Sequence, residues 1–329
     1  MAPPLPLVAV TGGTGFVGSH IVEALLATGT RVRALVRRPE KPGWLKGLDV
    51  EVHPGDVCDS SSLAALVKGA DAVVHVAGKT SARDLTEYLA ANAGGVKNVA
   101  EVVRAVAPGA HVVLISSQAA AGPAINGVAR RTEDAEGPVS SYGRSKLEGE
   151  RELRKVAGLK YTILRPGAVY GPREAEIRDL FVAASRGIVP VLAGGRPRVQ
   201  LIYALDVAAA VLGALKRGGR GESFFLAHPE VLDYRLIADT LAGLRSPRAR
   251  TVPVPAGLIR AAGVLVGAVS SFGKGPPVFN REKAGEMLQP GWLCDVEPAR
   301  QALGDPFQTT FASGSKLTWD WYRANGILR

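Results

Sequence analysis

The sequence predicts an α/β fold with a doubly wound parallel sheet and a smaller C-terminal lobe. Three observations lead to this prediction. Near-continuous apolar runs alternate with segments of helical periodicity through the first half of the chain. A glycine-rich stretch, VTGGTGFVGSH, joins the first apolar run to the first helical segment. After about Gly171 this rhythm loosens, and proline and glycine become frequent. Alternating strand and helix units of this kind form parallel sheets covered by helices.

Six apolar runs in the first half are predicted to be strands that are buried on both faces, as in a parallel sheet. They are residues 6–10, 31–36, 50–55, 71–78, 110–117 and 160–167. Helical spacing is clearest between these runs, at residues 16–28, 60–68, 82–107 and 141–156.

The second half is predicted to form a less regular lobe that closes over the ends of the sheet strands. Its predicted strands are residues 198–203 and 222–227, and its predicted helices are 206–215, 234–244 and 315–325. We therefore expect a dinucleotide-binding domain at residues 1–170. Residues 171–329 are expected to form mainly the substrate-binding lobe, with some segments returning to the first domain.

Composition narrows the functional classes. The net charge of +10 is interpreted as a solvated basic surface, because aromatic residues are only 6% and no zinc finger or RNP-like motif occurs. We therefore expect a small-molecule substrate and no nucleic acid. Cys58 and Cys294 cannot form a disulfide framework and match no metal-site spacing, so we expect no metal and a cytoplasmic location.

The most apolar late stretch is residues 256–272. It is about as long as the shortest membrane spans, but it carries Arg260 near its start and several glycines. A core or lid helix is therefore predicted, without a transmembrane segment. Peripheral contact with a membrane stays open.

The glycines of the opening stretch match the pattern T-G-x-x-G-x-x-G between a predicted strand and a predicted helix, which is a Rossmann-type dinucleotide fingerprint. Gly12 permits the tight turn, Gly15 lets the backbone approach a pyrophosphate, and Gly18 lets the helix pack on the sheet. The phosphates then meet free N–H groups at the positive end of the helix. An empty structural turn is the alternative. Further cofactor contacts are expected from Thr14, Phe16 and Val17.

The end of the second strand indicates which dinucleotide binds. NAD-binding proteins commonly place an acidic residue there, whereas this chain has Arg37 followed by Arg38. Guanidinium groups can hold a 2′-phosphate bidentately, so NADP(H) is favoured and NAD(H) stays open. Asp56 and Val57, after the third strand, are expected to contact the adenine. Ala77 and Gly78, after the fourth strand, are expected to line the cofactor floor.

Tyr142 and Lys146 occur four residues apart in a helical segment and therefore share one helix face. A neighbouring ammonium and an oxidised nicotinamide both favour the phenolate, so this pair can exchange a proton with a carbonyl or alcohol oxygen. Ser116 and Ser117 end the fifth strand, where ligands bind in open α/β sheets. A hydroxyl at that position can hold the reacting oxygen.

Taken together, these motifs resemble those of the extended short-chain dehydrogenases/reductases of the epimerase/dehydratase type. The resemblance covers nearly the whole chain. The matching motifs are TGGTGFVG, GDVCD, HVAG, ISSQAAAG, YGRSK, RPGAVYGP, LIYALDVAAA and the C-terminal TWDWYRANGIL.

The resemblance implies that Ser117, Tyr142 and Lys146 are catalytic, with Ser116 as a competing candidate for the serine role. Asn92 falls at a family position near the nicotinamide end, and family members commonly form homodimers. Ser116, Tyr142 and Lys146 are also expected to contact the cofactor. After the sixth strand, cofactor contacts at the carboxamide are expected from Pro166, Gly167 and Val169.

The expected reaction is hydride transfer between a nicotinamide and a ketone or secondary alcohol of an apolar or ring-bearing substrate. Dihydroflavonol reductases and 3β-hydroxysteroid dehydrogenases are the nearest branch. An NAD-dependent nucleotide-sugar epimerase or dehydratase is the first alternative, which Val199 disfavours because sugar-nucleotide enzymes often carry an arginine there. Gln118 and Ala119 replace the acidic pair that is usual in dehydratases. A non-catalytic NADP-binding sensor is the second alternative.

Overall fold

A computed structural model of the protein describes residues 6–270 and 279–328. The strands in these ranges are β1 (Leu7–Thr11), β2 (Arg31–Val36), β3 (Val50–Pro54), β4 (Ala72–His75), β5 (His111–Ile115), β6 (Lys160–Pro166), β7 (Ala168–Tyr170), β8 (Ile188–Leu192), β9 (Arg198–Val199), β10 (Leu201–Tyr203), β11 (Glu222–Leu226), β12 (Leu232–Asp233), β13 (Arg250–Val254) and β14 (Gly291–Trp292). The α-helices are α1 (Phe16–Ala27), α2 (Ser60–Val67), α3 (Leu85–Leu89), α4 (Gly95–Val106), α5 (Gln118–Ala121), α6 (Ser141–Lys155), α7 (Arg178–Ser185), α8 (Ala204–Arg217), α9 (Tyr234–Gly243), α10 (Ala256–Ser270), α11 (Arg281–Met287), α12 (Glu297–Leu303) and α13 (Phe311–Ala324).

Seven strands form the central sheet in the order β11-β6-β5-β4-β1-β2-β3, and every neighbouring pair is parallel. The chain order reverses between β1 and β4, which is the switch point of a doubly wound sheet and the usual place for a ligand. This sheet confirms the predicted Rossmann-type fold. β3 lies at the sheet edge, and its residues are accordingly exposed or half-buried rather than buried on both faces.

Two helical layers cover the sheet because successive residues of each strand point to opposite faces. Val8 and Val10 of β1 pack into the core beneath α1, α8 and α12. Leu7 and Ala9 pack into the opposite core, beneath α2, α4 and α6. The strand β11 and the helix α8 follow Gly171 in the chain, yet both belong to these central layers.

The second lobe has its own hydrophobic cluster and three small sheets, formed by β10-β7, β12-β9-β14 and β13-β8. Aromatic rings fill much of this cluster. Tyr170 lies 5.4 Å from the Tyr203 ring and 5.3 Å from the Phe311 ring, and Phe181 lies 5.4 Å from Tyr322. No helix of the described ranges is long and apolar enough to cross a membrane.

Two predicted elements are interrupted in the structure. The predicted helix 82–107 begins only at Leu85, where Asp84 caps the Glu87 N–H, and a π-helical turn at Ala90–Gly94 separates α3 from α4. The predicted strand 198–203 is divided at Gln200, whose side chain accepts a hydrogen bond from the Cys294 amide. The apolar stretch 256–272 forms α10 up to Ser270, and its last two residues lie outside the described residues.

A buried ion pair fastens α6 to the sheet. Arg165 of β6 donates two hydrogen bonds to the Glu150 carboxylate, at 2.9 and 2.6 Å, and both side chains are almost completely buried. Ser116 and Arg154 donate to the same carboxylate at 2.6 and 3.0 Å. Because every carboxylate oxygen is engaged, the cost of burying the charge is offset by direct hydrogen bonds.

We expect Arg165→Met to destabilise the protein by about 3–5 kcal/mol, because the Glu150 carboxylate would stay buried without its main partner. Urea unfolding of the purified protein measures this free energy. The matched control is Arg217→Met, which removes a bidentate pair with Glu222 that is only half-buried and should cost far less. Equal losses in the two variants would contradict the structural role assigned to the buried pair.

Candidate active site

The glycine-rich turn lies against the carboxyl end of β4. Gly12 has a φ of +74°, and a Cβ there would lie 2.5 Å from the Ala77 nitrogen, so only glycine fits. A Cβ at Gly18 would lie 2.1 Å from the Gly12 carbonyl oxygen, so α1 begins in direct contact with the turn. Gly15 precedes α1, and no side chain caps the helix. The first N–H groups of α1 are therefore open to an anion, which fits the pyrophosphate of a dinucleotide. Around this turn, Thr14, Phe16 and Val17 are half-buried.

The segment after β2 carries the basic residues Arg37 and Arg38, and the segment after β3 carries the acidic residue Asp56. Arg37 and Arg38 are exposed, and neither guanidinium forms an ion pair within the described parts of the chain. Burial raises the pKa of the Cys58 thiol, the Asp56 carboxylate adds to this shift, and Lys79 and Arg37 oppose it. Asp56 accepts a hydrogen bond from the Cys58 amide at 2.9 Å, and the adjacent Val57 is buried.

Asn92 organises the loop after β4. It lies in the π-helical turn, where its amide accepts from the Lys79 N–H at 2.7 Å and donates to the Lys79 carbonyl at 3.0 Å. It also donates to Ser145 of α6 at 2.9 Å. A Cβ at Gly78 would lie 2.7 Å from the Asn92 carbonyl oxygen and 3.6 Å from the Lys146 nitrogen. Asn92 therefore holds the predicted cofactor floor against the helix that carries Tyr142 and Lys146.

Two glycines let α6 approach its neighbours closely. A Cβ at Gly143 would lie 2.4 Å from the Ala119 carbonyl oxygen, and one at Gly149 would lie 2.4 Å from the Asn92 carbonyl oxygen. Ser140 caps the helix by accepting from the Gly143 amide at 3.0 Å. Tyr142, Lys146 and Glu150 are spaced by four residues and therefore share one face of α6. Close packing at Gly143 and Gly149 turns this face toward the carboxyl end of β5.

The Lys146 ammonium is buried at the end of β5, where it donates to the Ile115 carbonyl at 2.8 Å. Burial lowers its pKa to about 8, and the nearby Glu150 carboxylate opposes this shift. The pKa of His75 is lowered to about 3, mainly because its imidazole is buried and to a lesser extent because of the positive charge of Lys146. His75 is therefore neutral at physiological pH, and its Nδ1 lies 2.7 Å from the Thr11 hydroxyl.

Tyr142 behaves differently from the sequence-based expectation of a phenol acidified by the neighbouring ammonium. The protein packed around it raises the pKa of its phenol, and a hydrogen bond with Ser117 is the largest opposing influence. Carboxylates of α11 and of the loop before α7 raise the pKa further, since Glu286 and Glu176 both disfavour a phenolate. The phenol is therefore held in its protonated form.

The two candidate serines have different surroundings. Ser116 is buried, and its hydroxyl donates to Glu150, so it belongs to the ion-pair network beneath α6. Ser117 is half-buried, and its hydroxyl accepts from the Ala119 amide at 3.1 Å at the start of α5. Because the Ser117 hydroxyl also reaches the Tyr142 phenol, it is the serine that faces the candidate reaction centre.

The segment after β6 lies beside the start of α5. Pro166 is buried, and the Gly167 amide donates to the Leu226 carbonyl at 2.9 Å. A Cβ at Gly167 would lie 3.2 Å from the Gln118 side-chain oxygen, so this segment lies beside the residue that follows Ser117. Val169 is half-buried.

Sequence reasoning did not find the carboxylates that hold the first turn of α6. Glu282 of α11 accepts from both the amide and the hydroxyl of Ser141 at 2.8 Å, and Glu286 accepts from the Ser140 hydroxyl. These partners lie about 140 residues away in the chain, so no local motif reveals them. Beside them is a cavity of about 410 Å³, lined by Tyr88, Ser141 and the α10 residues Gly263, Val264 and Gly267, among others.

The sheet, the glycine turn and the α6 side chains define a nucleotide-binding α/β oxidoreductase that uses a nicotinamide cofactor. The model of the NAD dependent epimerase/dehydratase family matches residues 8–227. The chain belongs to this family.

Three similar proteins illustrate its range. The chain is 36% identical to a ceramide reductase of Caulobacter vibrioides, over 98% of this chain and 96% of that protein. It is 33% identical to a UDP-glucose 4-epimerase of Vibrio cholerae, over 94% of each chain. The solved structure of MoeE5 in complex with UDP-glucuronic acid and NAD matches with a TM-score of 0.76 at 24% identity, covering 97% of this chain and 99% of that one, and it supports the fold. Reductases and epimerases thus both occur among the relatives.

We expect Lys146→Met to change how stability depends on pH. Between about pH 8 and 10.4 the unfolded lysine binds a proton that the folded lysine has released, so wild-type stability rises with pH in this window. Below about pH 8 the folded wild type carries the full free-energy cost of burying the Lys146 ammonium. The variant lacks this ammonium and does not carry the cost. The stability of the variant relative to wild type should therefore fall by on the order of 3 kcal/mol from about pH 7 to about pH 10.

Urea unfolding across this pH range measures the difference. Lys97→Met is the matched control, because it removes an ammonium group that is exposed on α4 rather than buried. A Lys146→Met difference that stays constant across the window would contradict the predicted titration.

Proposed function

We propose that the protein reduces a ketone of an apolar substrate to a secondary alcohol, with NADPH as the preferred cofactor and Ser117, Tyr142 and Lys146 as catalytic residues. The observation that carries this proposal is the hydrogen bond between Ser117 and the Tyr142 phenol, one helical turn before the buried Lys146 ammonium, which lies at the carboxyl end of β5. A general acid must hold its proton until the substrate oxygen needs it. The raised pKa keeps Tyr142 protonated but makes it a weaker acid, so proton release must be assisted by positive charge near the phenol.

Each side chain has a distinct part in this proposal. The carbonyl carbon would receive hydride from a nicotinamide held by the glycine turn and by Lys146. Tyr142 donates its phenolic proton to the carbonyl oxygen, and Ser117 holds that oxygen by a hydrogen bond. Lys146 lies near Gly78 on the cofactor floor, where its ammonium can bind the nicotinamide ribose. Its positive charge also favours the phenolate that remains after proton transfer.

Two features of the surroundings support a substrate with a large apolar part. The helix α10 supplies apolar lining to the cavity next to Tyr88 and Ser141, whereas Arg83, Asp84, Arg281 and Glu282 add charged lining, so the cavity suits an amphiphilic molecule. At the position of the arginine that often clamps a sugar nucleotide diphosphate, Val199 is buried, and the neighbouring Arg198 donates to the Gly127 carbonyl at 3.1 Å. The similarity to a ceramide reductase makes a long-chain N-acyl amino ketone the first substrate to test.

The preference for NADPH, the location and the assembly are parts of the same proposal. Arg37 and Arg38 support NADPH, because exposed guanidinium groups without a carboxylate partner in the described ranges suit a 2′-phosphate. We further propose a homodimer that pairs α4 and α6 with their counterparts, as the family resemblance implies, and a cytoplasmic location.

We expect Tyr142→Phe to lower turnover of the ketone by at least about 100-fold while NADPH binding stays close to wild type, because only the proton donor is lost. Turnover is followed by NADPH oxidation and binding by thermal shift. Tyr161→Phe is the control, since Tyr161 lies at the opposite end of β6. Full turnover in Tyr142→Phe would refute the catalytic role.

The same assay separates the rival functions. A panel of a long-chain N-acyl amino ketone, a sterol-like ketone, a flavonoid-like ketone and UDP-glucose is offered to the wild type. An epimerase would carry bound NAD after purification and convert UDP-glucose without added cofactor. A cofactor sensor would bind NADPH and turn over none of the panel.

We expect Arg37→Gln to raise the KM for NADPH by about tenfold or more and to leave the KM for NADH nearly unchanged, because a charge-assisted hydrogen bond to the 2′-phosphate is lost. Steady-state kinetics with each cofactor measures the effect. Arg31→Gln is the matched control, since Arg31 is exposed at the opposite end of β2. An equal effect on both cofactors would contradict recognition of the 2′-phosphate.

A further inference from the structure

The helix α10 presents an apolar face to the outside of the protein. On its inner side Ile259 and Gly263 are buried, and a Cβ at Gly263 would lie 2.8 Å from the Ala284 Cβ of α11. On the opposite side Leu258 and Leu265 are 61% and 66% exposed, and Val264 is 53% exposed. Helical spacing places Leu258, Ala261 and Leu265 in one outward stripe.

The outward stripe contains no acidic residue. The sequence of α10 is AGLIRAAGVLVGAVS, in which Arg260 is the one charged residue. Arg83 and Arg281 are exposed and line the same cavity as Gly263 and Val264. None of these three guanidinium groups forms an ion pair within residues 6–270 and 279–328. The apolar stripe is thus accompanied by positive charge that the protein itself leaves unpaired.

Two carboxylates near this face are already engaged. Asp84 accepts from the Glu87 amide at 2.8 Å, and Glu282 accepts from Ser141 and from Arg144. Both carboxylates keep their negative charge, and the three guanidinium groups of Arg260, Arg83 and Arg281 exceed them by one positive charge. The surroundings of the stripe therefore favour a negatively charged, apolar partner over a positively charged one.

We propose that the outward stripe of α10 docks on an anionic lipid bilayer, with Leu258 and Leu265 entering the interface and Arg260, Arg83 and Arg281 meeting lipid phosphates. A helix of 15 residues is shorter than a span, but an interfacial helix needs only an apolar face and a basic border. Exposed apolar patches rimmed by charge commonly mark interaction sites. This docking does not depend on the identity of the substrate.

The docking surface is continuous with the cavity beside the candidate active site. Gly263, Val264 and Gly267 of α10 line that cavity together with Tyr88 and Ser141, and Ser141 directly precedes Tyr142. A protein seated on a bilayer through α10 would therefore have its substrate cavity next to the lipid surface. An amphiphilic substrate could pass from the bilayer to the cavity without crossing water.

The test measures co-flotation of the full chain with vesicles, without cofactor or substrate, so its outcome is independent of the reductase proposal. Vesicles of phosphatidylcholine alone are compared with vesicles that also contain phosphatidylglycerol. The wild type should bind the anionic vesicles more tightly, and high salt should weaken the binding. Leu265→Asp and Leu258→Asp should each weaken it by about tenfold or more, because an apolar side chain is lost from the interface. Arg260→Gln should reduce the difference between the two vesicle types.

Leu317→Asp is the matched control, because Leu317 is 53% exposed on α13 and lies outside the stripe, so its binding should equal that of the wild type. Circular dichroism and cooperative thermal unfolding establish that each variant is folded. Failure of the wild type to bind anionic vesicles would overturn the proposal, and so would an equal loss in Leu317→Asp. A wild-type dimer that Leu265→Asp converts to monomers, with no vesicle binding, would show instead that a second copy covers the stripe.

Discussion

The buried carboxylate of Glu150 is the constraint on which the candidate site depends. It receives hydrogen bonds from β6, from the end of β5 and from α6 itself, through Arg165, Ser116 and Arg154. The position of α6 over the carboxyl ends of the strands is thereby fixed. Lys146 and Tyr142 lie one and two helical turns before Glu150 on the same face, so the ion pair that fixes the helix also sets where these side chains meet the sheet.

Burial affects the two functional groups of α6 in opposite directions, because it disfavours the charged form of each. It lowers the pKa of the Lys146 ammonium and raises that of the Tyr142 phenol. Both shifts move the groups toward neutrality. The fold thus holds a neutral proton donor and a weakened cation one helical turn apart on the same face of α6, and positive charge brought by a ligand would act on both of them. A site of this kind costs stability and is maintained by the packing of α6.

The sequence predicted the parts of the fold that depend on neighbouring residues. The parallel sheet followed from apolar runs, and the glycine turn and the spacing of Tyr142 and Lys146 followed from short motifs. Contacts between distant segments were not predictable. The π-helical turn contains Asn92, whose amide binds Lys79 and Ser145, and the strand is divided at Gln200, which binds the Cys294 amide. The direction of the Tyr142 pKa shift depends on burial, which a spacing rule does not contain.

The second lobe contributes to the site through backbone support as well as through the cavity. Glu282 and Glu286 of α11 complete the hydrogen bonds of Ser141 and Ser140 at the start of α6, directly before Tyr142. The Gly263 backbone packs α10 against this same helix α11. The helix α11 therefore connects the exposed helix α10 to the Tyr142 end of α6 through direct contacts. The Glu150 network holds the same helix about two turns further along, so α6 is held to the second lobe at its start and to the sheet near its middle.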